Sequence, residues 1–253
     1  MNLLSPLISS CPSQTSRLPV QTERVPPKAF AVYYGHQNLK KLSAYRMVVI
    51  QVQHYSPDDL LWLRGQGVTV LAYVSVGEDP NPVRSPWSRK VRNHDWGTWY
   101  VKIGHAGWTA HLHALADDYL QHCDGLLLDT LDGSVLFPAD RSPLLRTLRG
   151  LRARHPDAYL LANRGFDLLP EMGQYVNGVL LESFTTSWED GYRKLRPNEL
   201  VFTCEMLRRA RLSQLDVFAL DYAFTPELRR AARVRARAQG LNTFVSVREL
   251  NAI

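Results

Sequence analysis

The stretch Gly125-Leu126-Leu127-Leu128-Asp129-Thr130-Leu131-Asp132 decides how the rest of the chain is read. Three leucines without a charge, opened by glycine, have the pattern of a short strand buried on both faces. Two carboxylates follow at its C-terminal end, where parallel α/β proteins place ligands and chemistry. Asp129 is therefore either a catalytic group or a carboxylate that caps the next turn. The flanking sequence has to choose.

The same apolar pattern recurs on both sides. Upstream are Ala29 to Gly35, Met47 to Gln51 and Val68 to Val76; downstream are Ala158 to Ala162, Gly178 to Leu181, Val217 to Leu220 and Thr243 to Val247. Helical patterns separate most of them. Ser56-Pro57-Asp58-Asp59 is a capped start with acids in its first turn, and that helix stops at Gly65-Gln66-Gly67. Others run from Trp108 to His122, from Ser142-Pro143 to Arg154, briefly around Leu168 to Tyr175, from Asn198 to Arg211, and from Thr225-Pro226-Glu227 to Gly240. Eight strands alternating with helices predict an α/β fold, a single (β/α)8 TIM barrel over residues 29–253. A doubly wound open sheet is the alternative, and no GxGxxG or GxxxxGK[ST] favours it.

Composition agrees with one barrel. The 253 residues can bury a full core, and no apolar run approaches the roughly 18 residues of a membrane span. There are 30 basic against 24 acidic side chains, a net charge of +6. Much of the excess sits in Arg229, Arg230, Arg233, Arg235 and Arg237, within one helical pattern. No aromatic residues interleave with them and no nucleic-acid motif accompanies them, so a solvated helix face is expected and nucleic acid is not an expected partner. Cys11, Cys123 and Cys204 are odd in number and widely spaced, which excludes a disulfide framework; Cys123 and Cys204 read as small buried apolar residues.

Residues 1–28 are rich in Ser, Pro, Gln and Thr without periodicity and are expected to be a flexible arm. Ile8-Ser9-Ser10-Cys11 is loosely similar to a lipoprotein cleavage box, but no Lys or Arg precedes it and the apolar run is short for an export signal. A start codon further upstream would imply an extracytoplasmic protein; otherwise a cytoplasmic one is expected.

The polar residues then fall on one rim. Tyr33 and Tyr34, Tyr73 and Glu78, Asp129 and Asp132, Asn163, Glu182, Asp221 and Tyr222 all lie at or just beyond predicted strand C-termini. Carboxylates gathered in this way repel one another and raise one another's pKa. Two carboxylates with opposed duties, one protonated and one ionised, are what glycoside hydrolysis requires. Asp132 and Glu78 read equally well as turn caps, whereas Asp221 is expected in the groove. The polar segment Asp79 to Gly107, with Trp87, Trp96, Trp99 and Tyr100, is long enough to wall that groove. His105, His111 and His113 share no helix face and no HExxH accompanies them, so solvated histidines are expected and no metal or other cofactor. Ser75 and Ser183 lack a GxSxG context.

Tyr-Tyr-Gly after strand one, Ala72-Tyr73-Val74-Ser75-Val76-Gly77-Glu78, the Gly125–Asp132 block, Leu180-Leu181-Glu182-Ser183-Phe184 and Leu220-Asp221-Tyr222 together resemble glycoside hydrolase family 114. That family comprises endo-α-1,4-polygalactosaminidases and related barrels, and the resemblance runs from Phe30 to Leu250. It implies Asp129 as nucleophile and Glu182 as acid/base of a retaining, endo-acting hydrolase of galactosamine-containing polysaccharide. Tyr33, Tyr73, Glu78, Asp132, Asn163, Asp221 and Tyr222 would contact substrate. Lys102 departs from the pattern, standing where relatives tend to be acidic, so subsite preference does not carry over. A hydrolase of another α-linked galactose or N-acetylgalactosamine glycan, and a barrel that binds polysaccharide or protein without catalysis, are the alternatives.

Overall fold

The computed structural model describes residues 28–81 and 85–253. The expected arm, with its Ile8-Ser9-Ser10-Cys11 box, lies outside the described residues. Eight strands form one parallel sheet in chain order: β1 (Lys28–Tyr33), β2 (Tyr45–Ile50), β3 (Thr69–Ser75), β4 (Gly125–Asp129), β5 (Tyr159–Asn163), β6 (Gly178–Glu182), β7 (Asp216–Tyr222) and β8 (Asn242–Ser246). The sheet curls into a nearly closed barrel. Across the seam the Tyr34 N–H donates to the Leu250 carbonyl at 2.8 Å, and the rings of Phe30 and Phe244 lie 6.3 Å apart.

Both faces of the strands are covered, so alternation is lost and near-continuous Val, Leu and Ala runs remain. Leu126, Leu127 and Leu128 are all buried, as are Val70, Leu71 and Ala72 on the neighbouring strand. Phe30 packs edge-on against Phe218 at 4.8 Å, and Phe244 also meets Tyr45 at 6.1 Å. These rings come from the first halves of β1, β2, β7 and β8 and plug one end of the barrel. The opposite end is left to polar side chains.

Five helices of useful length lie outside the sheet: α1 (Pro57–Gly65), α2 (Ala106–Tyr119), α3 (Arg141–Arg154), α4 (Pro197–Leu212) and α5 (Pro226–Ala238). Helix α1 starts with the expected reciprocal cap: Ser56 Oγ accepts from the Asp59 N–H, and the Asp59 carboxylate accepts from the Ser56 N–H. Helix α2 begins earlier than expected, at Ala106, because His105 is its cap and takes the Gly107 N–H at 3.1 Å. Where a short helix was expected after β5, there are two 3-10 turns, Phe166–Leu168 and Glu171–Gln174. Pro170 lies between them and has no N–H to continue a helical ladder.

The long segment after β3 forms its own antiparallel sheet, Glu78–Asp79 with Thr98–Val101 with Ser88–Asn93. Arg89 anchors it to the chain beyond β4 through two bonds to Asp140, 2.5 and 2.6 Å, while its guanidinium lies 4.3 Å above the Phe137 ring.

Two surface expectations are corrected. Cys204 is exposed, on the outer side of α4, and its Sγ meets Arg235 at 3.1 Å. The arginine helix is not uniformly solvated: Arg229 and Arg235 turn inward to the carbonyls of Val245 and Phe184, and only Arg230, Arg233 and Arg237 face outward. His111 is exposed but lies flat on the Trp87 ring at 6.0 Å.

Gly125 opens β4 because a Cβ there would fall on the carbonyl oxygen of Tyr159 in the adjacent strand. Gly125→Ala is expected to destabilise the barrel by about 1–3 kcal/mol or more through forced separation of β4 and β5. Denaturant unfolding measures it; an unchanged midpoint would contradict this packing.

Candidate active site

Along a strand, successive side chains point to opposite faces. At the C-terminal ends of β3 to β7 one face carries Tyr73, Asp129, Asn163, Glu182 and Tyr222, and the five form one hydrogen-bonded chain. Tyr73 donates its hydroxyl to Asp129 Oδ2 at 2.8 Å. Asn163 Nδ2 donates to Asp129 Oδ1 at 2.8 Å and to Glu182 Oε2 at 3.0 Å. Tyr222 donates to Glu182 Oε1 at 2.6 Å. The Thr130 N–H adds a third donor to Asp129, 2.7 Å from Oδ1. Asn163 has to present nitrogen rather than oxygen here, since an acceptor facing two carboxylates would be repelled by both.

The two carboxylate oxygens are 2.8 and 3.0 Å from the same nitrogen, so they stand no more than about 5.8 Å apart, the sum of the two. Burial pushes the Asp129 carboxyl up to about 6, and the facing Glu182 adds to the rise; Asn163, Tyr73 and Thr130 pull it back by hydrogen bonding. The phenols of Tyr34, Tyr73 and Tyr222 are raised well above 10, first by burial and then by these carboxylates, which keeps them hydrogen-bond donors.

Three residues that follow this polar chain adopt left-handed backbone: Thr130 (φ 62°) after Asp129, Arg164 (φ 58°) after Asn163, and Ser183 (φ 54°) after Glu182. Such conformations cost about 1–3 kcal/mol each for residues with a Cβ and concentrate at functional sites. Here they turn the chain sharply at the barrel mouth while the preceding side chain still points inward. Gly77 makes room for one of these turns: a Cβ on it would come within 2.8 Å of Thr130 Cγ2 and 2.9 Å of the Thr130 carbonyl oxygen.

The remaining expected site residues divide. Asp132 lies at the rim, 3.5 Å from Arg164 Nη1, and is 43% exposed at its side chain. Glu78 is turned into the small sheet, where Asn93 and Thr98 donate to its two oxygens at 2.8 and 2.5 Å. Tyr33 faces away from the cluster; its hydroxyl donates to the His36 carbonyl and accepts from Asn38. The neighbour Tyr34 packs instead against Tyr73, ring centroids 5.1 Å apart. Asp221 is fully buried on the helix side of β7 and accepts the N–H groups of Thr185 and Thr186 at 2.5 and 2.8 Å. It braces the turn after β6 and does not reach the mouth, which corrects the groove expectation. Tyr33–Tyr34 and Asp221–Tyr222 are adjacent pairs at strand ends, so one member of each faces outward. Arg164 reaches the site without any periodic signal. Among the described residues no group of three or more His, Cys, Asp or Glu side chains could hold a metal ion.

The model of glycoside-hydrolase family GH114 matches residues 13–253. The glycoside hydrolase domain of PelA from Pseudomonas aeruginosa is similar with a TM-score of 0.82 and 30% identity, covering 90% of this chain and 97% of that one. Ega3 from Aspergillus fumigatus, solved in complex with galactosamine, shares the fold with a TM-score of 0.68 at 15% identity, covering 92% and 96%. An uncharacterised protein of Deinococcus radiodurans is 25% identical over 248 residues, 87% of this chain and 79% of that one.

The raised Asp129 pKa has a consequence for stability. An aspartate held at about 6 against an ordinary 3.8 favours the fold most below 3.8, and that contribution is lost as pH rises through about 6. Asp129→Asn is therefore expected to gain stability relative to wild type on going from pH 4.5 to 7.5, by about 2 kcal/mol. Unfolding curves at the two pH values measure this; a difference independent of pH would contradict the burial argument.

Proposed function

The chain belongs to glycoside-hydrolase family GH114 and is a glycoside hydrolase, and from that premise we propose that it cleaves α-1,4-linked galactosamine-containing polysaccharide within the chain, with retention, through Asp129 and Glu182. The observation that carries this reading is the Asn163 amide shared by both carboxylates. The two oxygens that share it, Asp129 Oδ1 and Glu182 Oε2, stand at most about 5.8 Å apart, nearer the ~5–5.5 Å of retaining pairs than the ~6.5–9.5 Å of inverting ones.

Roles follow from the lone pairs. Asp129 Oδ1 is occupied by Asn163 and Thr130, whereas Oδ2 carries only the Tyr73 hydroxyl and is the nucleophilic oxygen. Each oxygen of Glu182 has one donor and retains an acceptor site for the catalytic proton. Glu182 protonates the leaving glycosidic oxygen as its bond to the anomeric carbon breaks and the Asp129 Oδ2 bond forms. Water then attacks the same carbon, gives its proton to Glu182 and frees Asp129. Tyr73, Tyr222 and Asn163 tune and hold the two carboxylates, and Asp132 and Tyr34 meet the sugar. Tyr33, Glu78 and Asp221 act from behind, by holding the loops.

The substrate reading draws on the family and on the galactosamine bound by Ega3. Carboxylates at Asp129, Asp132 and Glu182 suit a sugar bearing amines. Endo action is supported by aromatic surface on the loops beyond the pair: Trp96, half exposed, meets Trp188 at 5.7 Å, and exposed Phe224 meets Tyr192 at 5.9 Å. Rings placed there can hold sugars away from the cut.

Reducing-end release from α-1,4-linked galactosamine polymer, with the N-acetylated polymer alongside, tests the assignment. Asp129→Asn is expected to abolish cleavage of every substrate. Glu182→Gln is expected to lose about 10²- to 10⁴-fold on the polymer and to recover on substrates with good leaving groups. The acid limb of kcat/KM is expected near pH 6, where Asp129 ionises. Equal losses on activated and unactivated substrates would remove Glu182 from the acid role. Glycan binding without cleavage would favour the non-catalytic barrel.

A further inference from the structure

Trp96 and Trp188 stand on loops whose strands are not neighbours. Trp96 is at the tip of the hairpin after β3 and Trp188 is in the turn after β6, with β4 and β5 between those strands. The two indoles nevertheless meet edge to face, their centroids 5.7 Å apart. Arg248, in the turn after β8, joins them. Its guanidinium lies 4.0 Å from the Trp188 ring centroid and 4.9 Å from that of Trp96. Nη2 donates to the Asp95 carbonyl at 2.6 Å, and the Arg248 backbone N–H donates to the Tyr192 hydroxyl at 2.9 Å. One residue thus ties three loops together on the C-terminal face of the barrel.

The Arg248 Nε is buried without a hydrogen-bond partner among the described residues. Such a donor costs stability, which contact with two indole faces offsets in part. The bases of both tryptophan loops are braced as well. Glu78 accepts from Asn93 and Thr98 on either side of the Trp96 turn, and Asp221 accepts from Thr185 and Thr186 just ahead of Trp188. Each indole is therefore held at the base of its loop by a carboxylate and at its ring by Arg248. Trp96 still has 50% of its surface exposed. A ring fixed in advance can stack on the apolar C–H face of a pyranose without first having to be ordered. Neither indole belongs to the hydrogen-bonded chain around Asp129 and Glu182.

We propose that Arg248 is a positioning residue: it clasps Trp96 and Trp188 into one rigid platform for a sugar away from the cut, so that long substrate is gripped there. This rests on the proposed α-1,4-linked polymer as substrate. The clasp acts on binding, whereas the carboxylate pair acts on bond cleavage. A substitution that merely loosened the barrel would behave differently. Two residues beyond Arg248, the Leu250 carbonyl accepts the Tyr34 N–H at 2.8 Å, and the Tyr34 ring packs on Tyr73 beside Asp129. Loss of that seam would lower kcat.

Titration calorimetry measures the affinity of an α-1,4-linked galactosamine hexasaccharide for the Asp129→Asn protein, alone and with Arg248→Met, Trp96→Ala or both added. Arg248→Met is expected to weaken binding about tenfold, the cost of ordering two freed indoles when the sugar arrives. Trp96→Ala is expected to weaken it to a similar degree, and the two together no more than the larger single loss. In otherwise wild-type enzyme, Arg248→Met is expected to raise KM for the polymer about tenfold and to change kcat less than twofold. Circular dichroism checks folding; should Arg248→Met not fold, Trp96→Ala, at an exposed hairpin tip, decides alone. Unchanged hexasaccharide affinity, losses that add in full, or a fall confined to kcat would each overturn the clasp while leaving the hydrolase intact. No cleavage by wild type together with no binding by Asp129→Asn would overturn the substrate reading and this inference together.

Discussion

One side-chain amide holds two carboxylates. Asn163 spends both hydrogens of Nδ2 on Asp129 and Glu182, and its Oδ1 is left buried without a hydrogen-bond partner among the described residues. That arrangement needs β4, β5 and β6 side by side and in register, with each polar residue last on its strand. The parallel pairings Leu128 to Ala162 and Asn163 to Leu180 set this register. It also needs the chain to leave each strand abruptly, which Thr130, Arg164 and Ser183 accomplish in left-handed backbone. The barrel supplies the stability that holds these three strained turns.

The site is a balance between two opposed terms. Removing Asp129 from water favours its neutral form, while three donors favour the anion, and the net result stands near 6 rather than 3.8. The carboxyl is therefore ionised at neutral pH at a cost to the fold, with donors already oriented towards the charge. Preorganised donors of this kind need no rearrangement when charge shifts during reaction. The plugged end of the barrel, with Phe30, Phe218 and Phe244, carries no such burden. Stability is concentrated at one end and chemistry at the other, as is usual for this fold.

Much of this was legible in the sequence. Leu126 to Leu128 ending on Asp129 identified a doubly buried strand, and repetition of that pattern gave eight strands and the barrel. Polar residues at strand ends gave Tyr73, Asp129, Asn163, Glu182 and Tyr222, which the structure joins into one chain. A period of two turns one member of each adjacent pair outward: Tyr33 and Asp221 face away from the mouth, and Tyr34 and Tyr222 face it. Glu78 was out of reach, because its partners Asn93 and Thr98 come from a small sheet that no periodicity announced. Arg164 was missed for a related reason: its position depends on a left-handed residue without glycine's signature. Pro170 did carry a warning against a continuous helix after β5, and the apolar spacing around it outweighed that warning.

The central claim, that the pair bridged by Asn163 works as nucleophile and acid/base, is tested most directly by the configuration of the first product. Proton NMR of the released reducing sugar, recorded during hydrolysis and before mutarotation, reports which anomer forms. With Asp129 Oδ1 and Glu182 Oε2 at most about 5.8 Å apart on one amide, the account predicts α product from α-linked substrate. Initial formation of the β anomer would mean that water attacks directly across a wider gap, and Asp129 would not be a nucleophile.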